Sequence, residues 1–264
     1  MNFYKIAISL LAISPLICTT EKHIPTQDCG LVYNTEDLNM ELDTLTADVR
    51  FVVFKDDSSS VDTTYISTSL SKANIHLQKA KLKLKLHSID VINNKEYAED
   101  FSSMRKHAQQ LNKDDVFNVY VYSDNQPYLT GNKAYIRGEA ADIPSRTVGI
   151  VYRYLNSSTF IHEIGHCLGL FHTHEPDDTD GLNPITGDRV CDTRSLSPNL
   201  IGADCHFVGA DSLRDNTIEC NIMSYIPLGC RDCFSEGQID RIRFMIFNNE
   251  TLGHLFGVKK RNNL

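Results

Sequence analysis

His162, Glu163, His166, Gly169 and His172 stand in one short run and spell H-E-x-x-H-x-x-G-x-x-H. On a helix, residues four apart share a face, so His162 and His166 can grip one ion between them. Zinc suits two imidazoles, and Glu163 is placed to reach a water beside the metal. Gly169 tolerates the positive φ that ends a helix, so the chain can turn there and carry His172 back to the same ion. Three protein nitrogens leave one coordination position open, the arrangement of a catalytic rather than a structural zinc site. Such a site makes water nucleophilic near neutral pH and polarises a carbonyl, with Glu163 as general base and then as acid. The competing reading is an amphipathic core helix that happens to carry histidines, which five fixed positions argue against. His174 is a rival third ligand, but its spacing misses the pattern.

The elements that must position these residues form an α/β pattern. A buried strand is expected over residues 48–55, an amphipathic helix over 65–81 capped by Asp62 or Thr63, and a strand with one wet face over 82–92. A shorter helix over 98–112 precedes an interior strand over 115–122. Weaker strands follow over 133–139 and 147–152, and residues 156–158 cap the helix that carries the histidines. Residues 173–220 are rich in Asp, Gly, Pro, Asn and Cys, with no long periodic segment, as in a functional or crosslinked loop. Within it Asp178, Asp180 and Asn183 look like half of a calcium loop, a solvated acidic turn being the alternative. A closing helix is expected over 235–248.

The 264 residues suit one domain or two tightly joined subdomains. Lys plus Arg total 26 against 34 Asp plus Glu, a net charge of −8 that argues against nucleic acid or anionic lipid as partner. Residues 1–18 read as an export signal, with Lys5 as lone charge before an apolar run too short to span a bilayer. Lipidation at Cys18 is the alternative, disfavoured by the large Ile17 before it. No other stretch is apolar and long enough to cross a membrane. Residues 19–46 then form a polar extension or pro-segment, and 47–264 a catalytic domain divided at His172 into upper and lower subdomains. Beyond the signal seven cysteines remain, five of them in the last third, which in an exported protein implies disulfides and at least one thiol left over. Cys230 and Cys233 form a C-x-x-C read as part of a crosslinked loop rather than a redox motif.

Residues 162–172 resemble the zinc signature of the metzincin metallopeptidases, and residues 221–225 (Asn-Ile-Met-Ser-Tyr) look like that clan's methionine turn. Residues 187–193 (Gly-Asp-Arg-Val-Cys-Asp-Thr) and 230–238 are similar to two further segments of the pappalysin, or cytophagalysin-like, family. The resemblance spans roughly residues 48–248, with four motifs in order. It implies an α+β fold: a twisted, mostly parallel five-stranded sheet with an antiparallel edge strand, two long helices above a cleft, and a loop-rich lower part. An extended peptide would add to that open edge. It further implies a secreted, monomeric zinc endopeptidase acting on proteins or peptides, with Met223 as an apolar floor under the metal. Tyr225 would ligate the metal or donate to the oxyanion, or else simply pack. A zinc-retaining binding protein without activity is the alternative.

The resemblance also implies disulfides Cys191–Cys220 and Cys205–Cys230. Cys29, beside Gly30 in the polar extension, resembles a cysteine switch, in which a thiolate takes the open metal position until the segment is cut away. Alternatively it pairs with another cysteine such as Cys233. No Lys or Arg lies between Gly30 and Val49, so self-activation by cleavage at arginine has no site there.

Overall fold

A computed structural model describes residues 43–258 except 59, 125–135, 175–187, 191, 194, 196 and 211–218. Residues 1–42, which hold the stretch read as an export signal and most of the polar extension with Cys18 and Cys29, lie outside the described residues, as do Asp178, Asp180 and Asn183 of the expected calcium-like turn.

Strand β1, Leu45–Lys55, is the template of the sheet. Its side chains alternate between two apolar environments, because successive Cβ atoms leave a strand on opposite faces. Val49, Phe51 and Val53 enter one core cluster and Val52 and Phe54 the other, so both faces are covered. β2 (Leu82–Asn93) and β3 (Phe117–Tyr122) flank β1, both parallel to it. β5 (Thr147–Val151) continues the parallel run beside β3, and β4 (Gly138–Ala140) closes that side antiparallel to β5. The order is β2-β1-β3-β5-β4. The fold is therefore the α+β arrangement expected, five strands with an antiparallel edge.

Helix α1, Thr63–Leu77, starts where the Asp62 carboxylate accepts from the amides of Thr64 and Tyr65. It buries Ile66, Leu70, Ala73 and Leu77 on the sheet face shared with α4 (Ser158–Cys167). It stops short of residue 81, because a 3-10 turn follows and Lys81 turns left-handed at φ 53°. The helix expected over 98–112 is broken in two. α2 (Lys95–Glu99) is capped by Asn94, and Asp100 leaves helical geometry so that its carboxylate caps a new start at Ser103, ahead of α3 (Met104–Leu111). These helices cover the other face through Ala98, Phe101, Met104 and Ala108. β1 begins at Leu45, within the stretch read as extension, because Leu45 still pairs with Leu82.

Among the described residues the lower part has little regular structure before α5, Glu236–Asn248. Ser235 and Gln238 form a reciprocal cap at its start. A final helix, α6 (Glu250–Leu255), lies beyond the expected elements. Ile239, Ile242 and Ile246 of α5 join Met223 and Ile222 in the same apolar cluster as β1 and α1, so the closing helix shares the core of the sheet.

The disulfides differ from the expected set. Cys205 bonds Cys230, but Cys220 bonds Cys233 instead of Cys191. The backbone explains the choice: Asp232 and Cys233 both donate to the Cys220 carbonyl, and Ile222 donates to that of Cys233. This ladder holds the Cα atoms of Cys220 and Cys233 5.3 Å apart, within bridging range. The same bond removes Cys233 as a partner for Cys29. Each half of the C-x-x-C thus crosslinks outward, and Cys191 lies outside the described residues.

Candidate metal centre and active site

Ser157 caps α4 by accepting from the Thr159 amide, which starts the helix so that His162, Glu163 and His166 fall on its inner turns. All three are buried. The helix ends at Gly169, whose φ of +95° supplies the left-handed step that sequence reasoning required. His172 then returns to the other two.

The three Nε2 atoms converge, with separations of 3.2 Å (His162–His166), 3.0 Å (His166–His172) and 3.3 Å (His162–His172). The Nδ1 of His162 stands 2.7 Å from the Ile222 carbonyl, and that of His166 2.8 Å from the Leu170 carbonyl. A carbonyl can only accept, so each Nδ1 carries the proton and each Nε2 keeps its lone pair. Lone pairs facing each other at this distance call for a cation between them. Tetrahedral zinc bound at about 2.0–2.1 Å would space its ligands about 3.3 Å apart, so the donor set fits it. Burial, first, and the neighbouring imidazole hold His162 well below the usual histidine range, and burial lowers His172 to about 4. His162 and His172 are thus neutral and able to accept a metal. His174 stacks on His172, ring centroids 4.9 Å apart, and is not one of the three converging nitrogens.

Glu163 is clamped between helix and sheet. Its Oε2 accepts from the Ala140 amide on edge strand β4 at 3.0 Å. Burial pushes its carboxyl up to about 8, opposed by that amide. Gly138 makes the approach: a Cβ there would meet Glu163 Cγ at 2.8 Å and Thr159 Cγ2 at 3.1 Å.

Beneath the ligands lies Met223, fully buried, in a turn held by Asn221, whose Oδ1 accepts from the Met223 amide. Asn221 also exchanges side-chain hydrogen bonds with Gln238 of α5. Gly165 of the helix admits the thioether, since a Cβ at that position would stand 2.6 Å from the methionine sulfur. Tyr225 is exposed, its ring centroid 4.6 Å from that of His172 and 6.0 Å from that of His162.

A model of peptidase family M43, described as pregnancy-associated plasma protein-A, matches residues 100–246, more than half of the chain. The chain belongs to that family. An extracellular metalloprotease of Aspergillus oryzae is 33% identical over 99 residues, covering 38% of this chain and 30% of that protein. Metalloproteinase-II from Bacteroides fragilis is 15% identical over 56% of this chain and 48% of its own, with a TM-score of 0.35. A chaperone-substrate complex has the same TM-score at 12% identity, covering 77% of this chain and 39% of its own.

Several positioning groups of this M43 centre escaped sequence reasoning. Arg241 of α5 donates from Nε to the Gly169 carbonyl at 2.7 Å, fixing the turn that returns His172. Its guanidinium also lies 5.4 Å from the Phe171 ring. The Ile222 and Leu170 carbonyls are backbone groups and carry no sequence signal at all. Gly138 and Gly165 were visible as residues, but only the packing shows what each one admits.

Proposed function

We propose that this protein is a secreted zinc endopeptidase, with His162, His166 and His172 holding the metal and Glu163 as the catalytic base. The observation that carries this is the pairing of three converging imidazole nitrogens with a buried carboxylate tethered to edge strand β4. When bound, zinc supplies a polarised carbonyl and a more acidic water. Glu163 takes the proton of the attacking water and delivers it to the departing amine. The edge strand β4 receives an extended substrate by main-chain hydrogen bonds, which lays the scissile bond across Glu163. Tyr225 donates to the carbonyl oxygen as it gains charge, and Met223 floors the site without ligating.

Two disulfides in the lower part suit an oxidising compartment, and an export signal at 1–18 accords with one; a lipid anchor at Cys18 is the other route to it. Retention of Glu163 in a clamped position supports an enzyme over a binding protein that merely keeps the zinc fold. The stretch ahead of β1, residues 19–44, is proposed as a pro-segment with Cys29 as its metal-blocking thiol.

The test is hydrolysis of casein by the purified protein, with and without a zinc chelator, alongside Glu163→Ala. The parent should lose activity with the chelator. The variant should keep about one zinc per chain by elemental analysis and lose about 10²- to 10⁴-fold in rate, because one residue serves both proton steps. A variant that keeps more than about a tenth of the parent rate removes Glu163 from the mechanism.

A further inference from the structure

Beside the metal centre, and sharing Tyr225 with it, opens a cavity of about 460 Å³ whose lining includes Arg137, Arg231, Ile226 and Leu228. Its charge runs against that of the molecule. The chain carries −8, yet two arginines meet here, and among the described residues no carboxylate lies within 4.0 Å of either. Arg50, Arg105, Arg146 and Arg153 each have such a partner, whereas Arg243, which also lacks one among the described residues, is held instead by the backbone carbonyls of Lys79 and Ala80.

Arg231 is held in place from two sides. Its Nε donates to the Ile226 carbonyl at 2.8 Å, and the backbone on either side is pinned by the disulfides at Cys230 and Cys233. That leaves its two terminal nitrogens with no acceptor among the described residues. Burial, and then the nearby Arg137, lower Arg231 to about 10, as expected where one partly buried cation faces another. Arg137 immediately precedes edge strand β4, the strand that tethers Glu163. Its guanidinium lies 5.4 Å from the Tyr154 ring and is otherwise exposed.

Two guanidinium groups beside a reaction centre, one rigidly fixed, make a fork for a carboxylate, and Ile226 and Leu228 can pack the methylenes that lead to it. We propose that this cavity is a specificity subsite that binds a substrate carboxylate next to the scissile bond, from a Glu or Asp side chain or from the substrate's own C-terminus. The proposal rests on the endopeptidase reading above and names which substrates that site prefers. Anionic substrates complete the ion pairing that the described residues leave open, and basic side chains are repelled.

The experiment uses fluorogenic peptides identical except for Glu, Gln or Lys at each position flanking the cleaved bond. A second series, ending two or three residues past that bond, carries a free acid or an amide. The expected result is a kcat/KM at least about tenfold higher for the carboxylate member of one series, as for a charge-assisted hydrogen bond, with the Lys peptides poorest. Which series responds identifies the source of the carboxylate. Arg231→Gln should bring the Glu to Gln ratio, or the acid to amide ratio, close to one. Arg137→Gln, at an exposed position, should reduce it in a protein whose folding is not in question. Equal rates across both series, in a protein that digests casein, overturn the subsite and leave the endopeptidase standing. If casein is untouched, the endopeptidase reading fails separately. The subsite is then decided by fluorescence anisotropy of the same peptides on Glu163→Gln: tighter binding of the carboxylate members upholds it, and equal binding overturns it.

Discussion

The sheet layer and the segment from residue 188 to 235 meet at the same metal centre but are built by different means. In the sheet, alternating side chains of β1 and β3 enter two apolar clusters, and periodic helices cover them. Across the centre, the cluster under the loops has, among the described residues, only Ile201, Ile226 and Cys230 as buried members, and one of those is half of a disulfide. Ile222, Met223 and Phe234 of this segment enter the main apolar cluster, and its other described residues are ordered by crosslinks and by polar contacts such as Asn221 with Gln238, and Asp192 with Ser235 and Gly237. The lesson is that apolar burial sets the helix that carries His162 and His166 and seats Met223 beneath it, while covalent and hydrogen-bonded constraints set one wall of the cleft.

If that division is right, Phe51→Ala should produce the largest loss of stability. Phe51 is fully buried in the centre of the sheet, 6.0 Å from Phe160 of the metal helix between ring centroids. A cost of about 3–5 kcal/mol is expected from chemical denaturation. A loss under about 1 kcal/mol would mean that the sheet core is not what holds the helix.

Replacing Cys220 and Cys233 together by serine should cost about 2–4 kcal/mol, and casein hydrolysis should fall more steeply with temperature than the unfolding of the sheet. Hydrogen exchange divides the two regions: protection should drop around residues 220–235 and persist in β1 and β3. Equal loss in both would merge them into one cooperative unit.

A third effect, a pH dependence, belongs to Asp188. Burial raises its carboxyl to about 7, opposed by hydrogen bonds from Thr193 and the Val190 amide. Its folded value lies above its unfolded value of 3.8, so the contribution is complete below about 4 and is lost as pH rises through about 7. Asp188→Asn should flatten that slope in thermal melts between pH 4 and 8, and an unchanged slope would place the titration elsewhere.

Legibility in the sequence follows the same division. The periodic strands and helices were readable because one-sided burial imposes a period, and the ligand run because its spacing is the chemistry. The break at Asp100 was hidden, since a single carboxylate capping Ser103 interrupts an apolar pattern that otherwise continues. The pairing of Cys220 with Cys233 was hidden too, because it depends on a backbone ladder that no residue type announces. Residues 230–238 were noticed as a motif. The meeting of Arg231 with Arg137 across a cavity needed the fold.

The Arg241 hydrogen bond to the Gly169 carbonyl also bears on when the centre comes into being. A ribosome delivers His162, His166 and His172 well before it delivers Ile222, which orients the first of them, or Arg241, which locks the turn before the last. A growing chain therefore holds every ligand for some time without holding the site. Assembly of the centre waits for α5 to dock, so a truncated or unfinished chain has its histidines but lacks the frame that aims them.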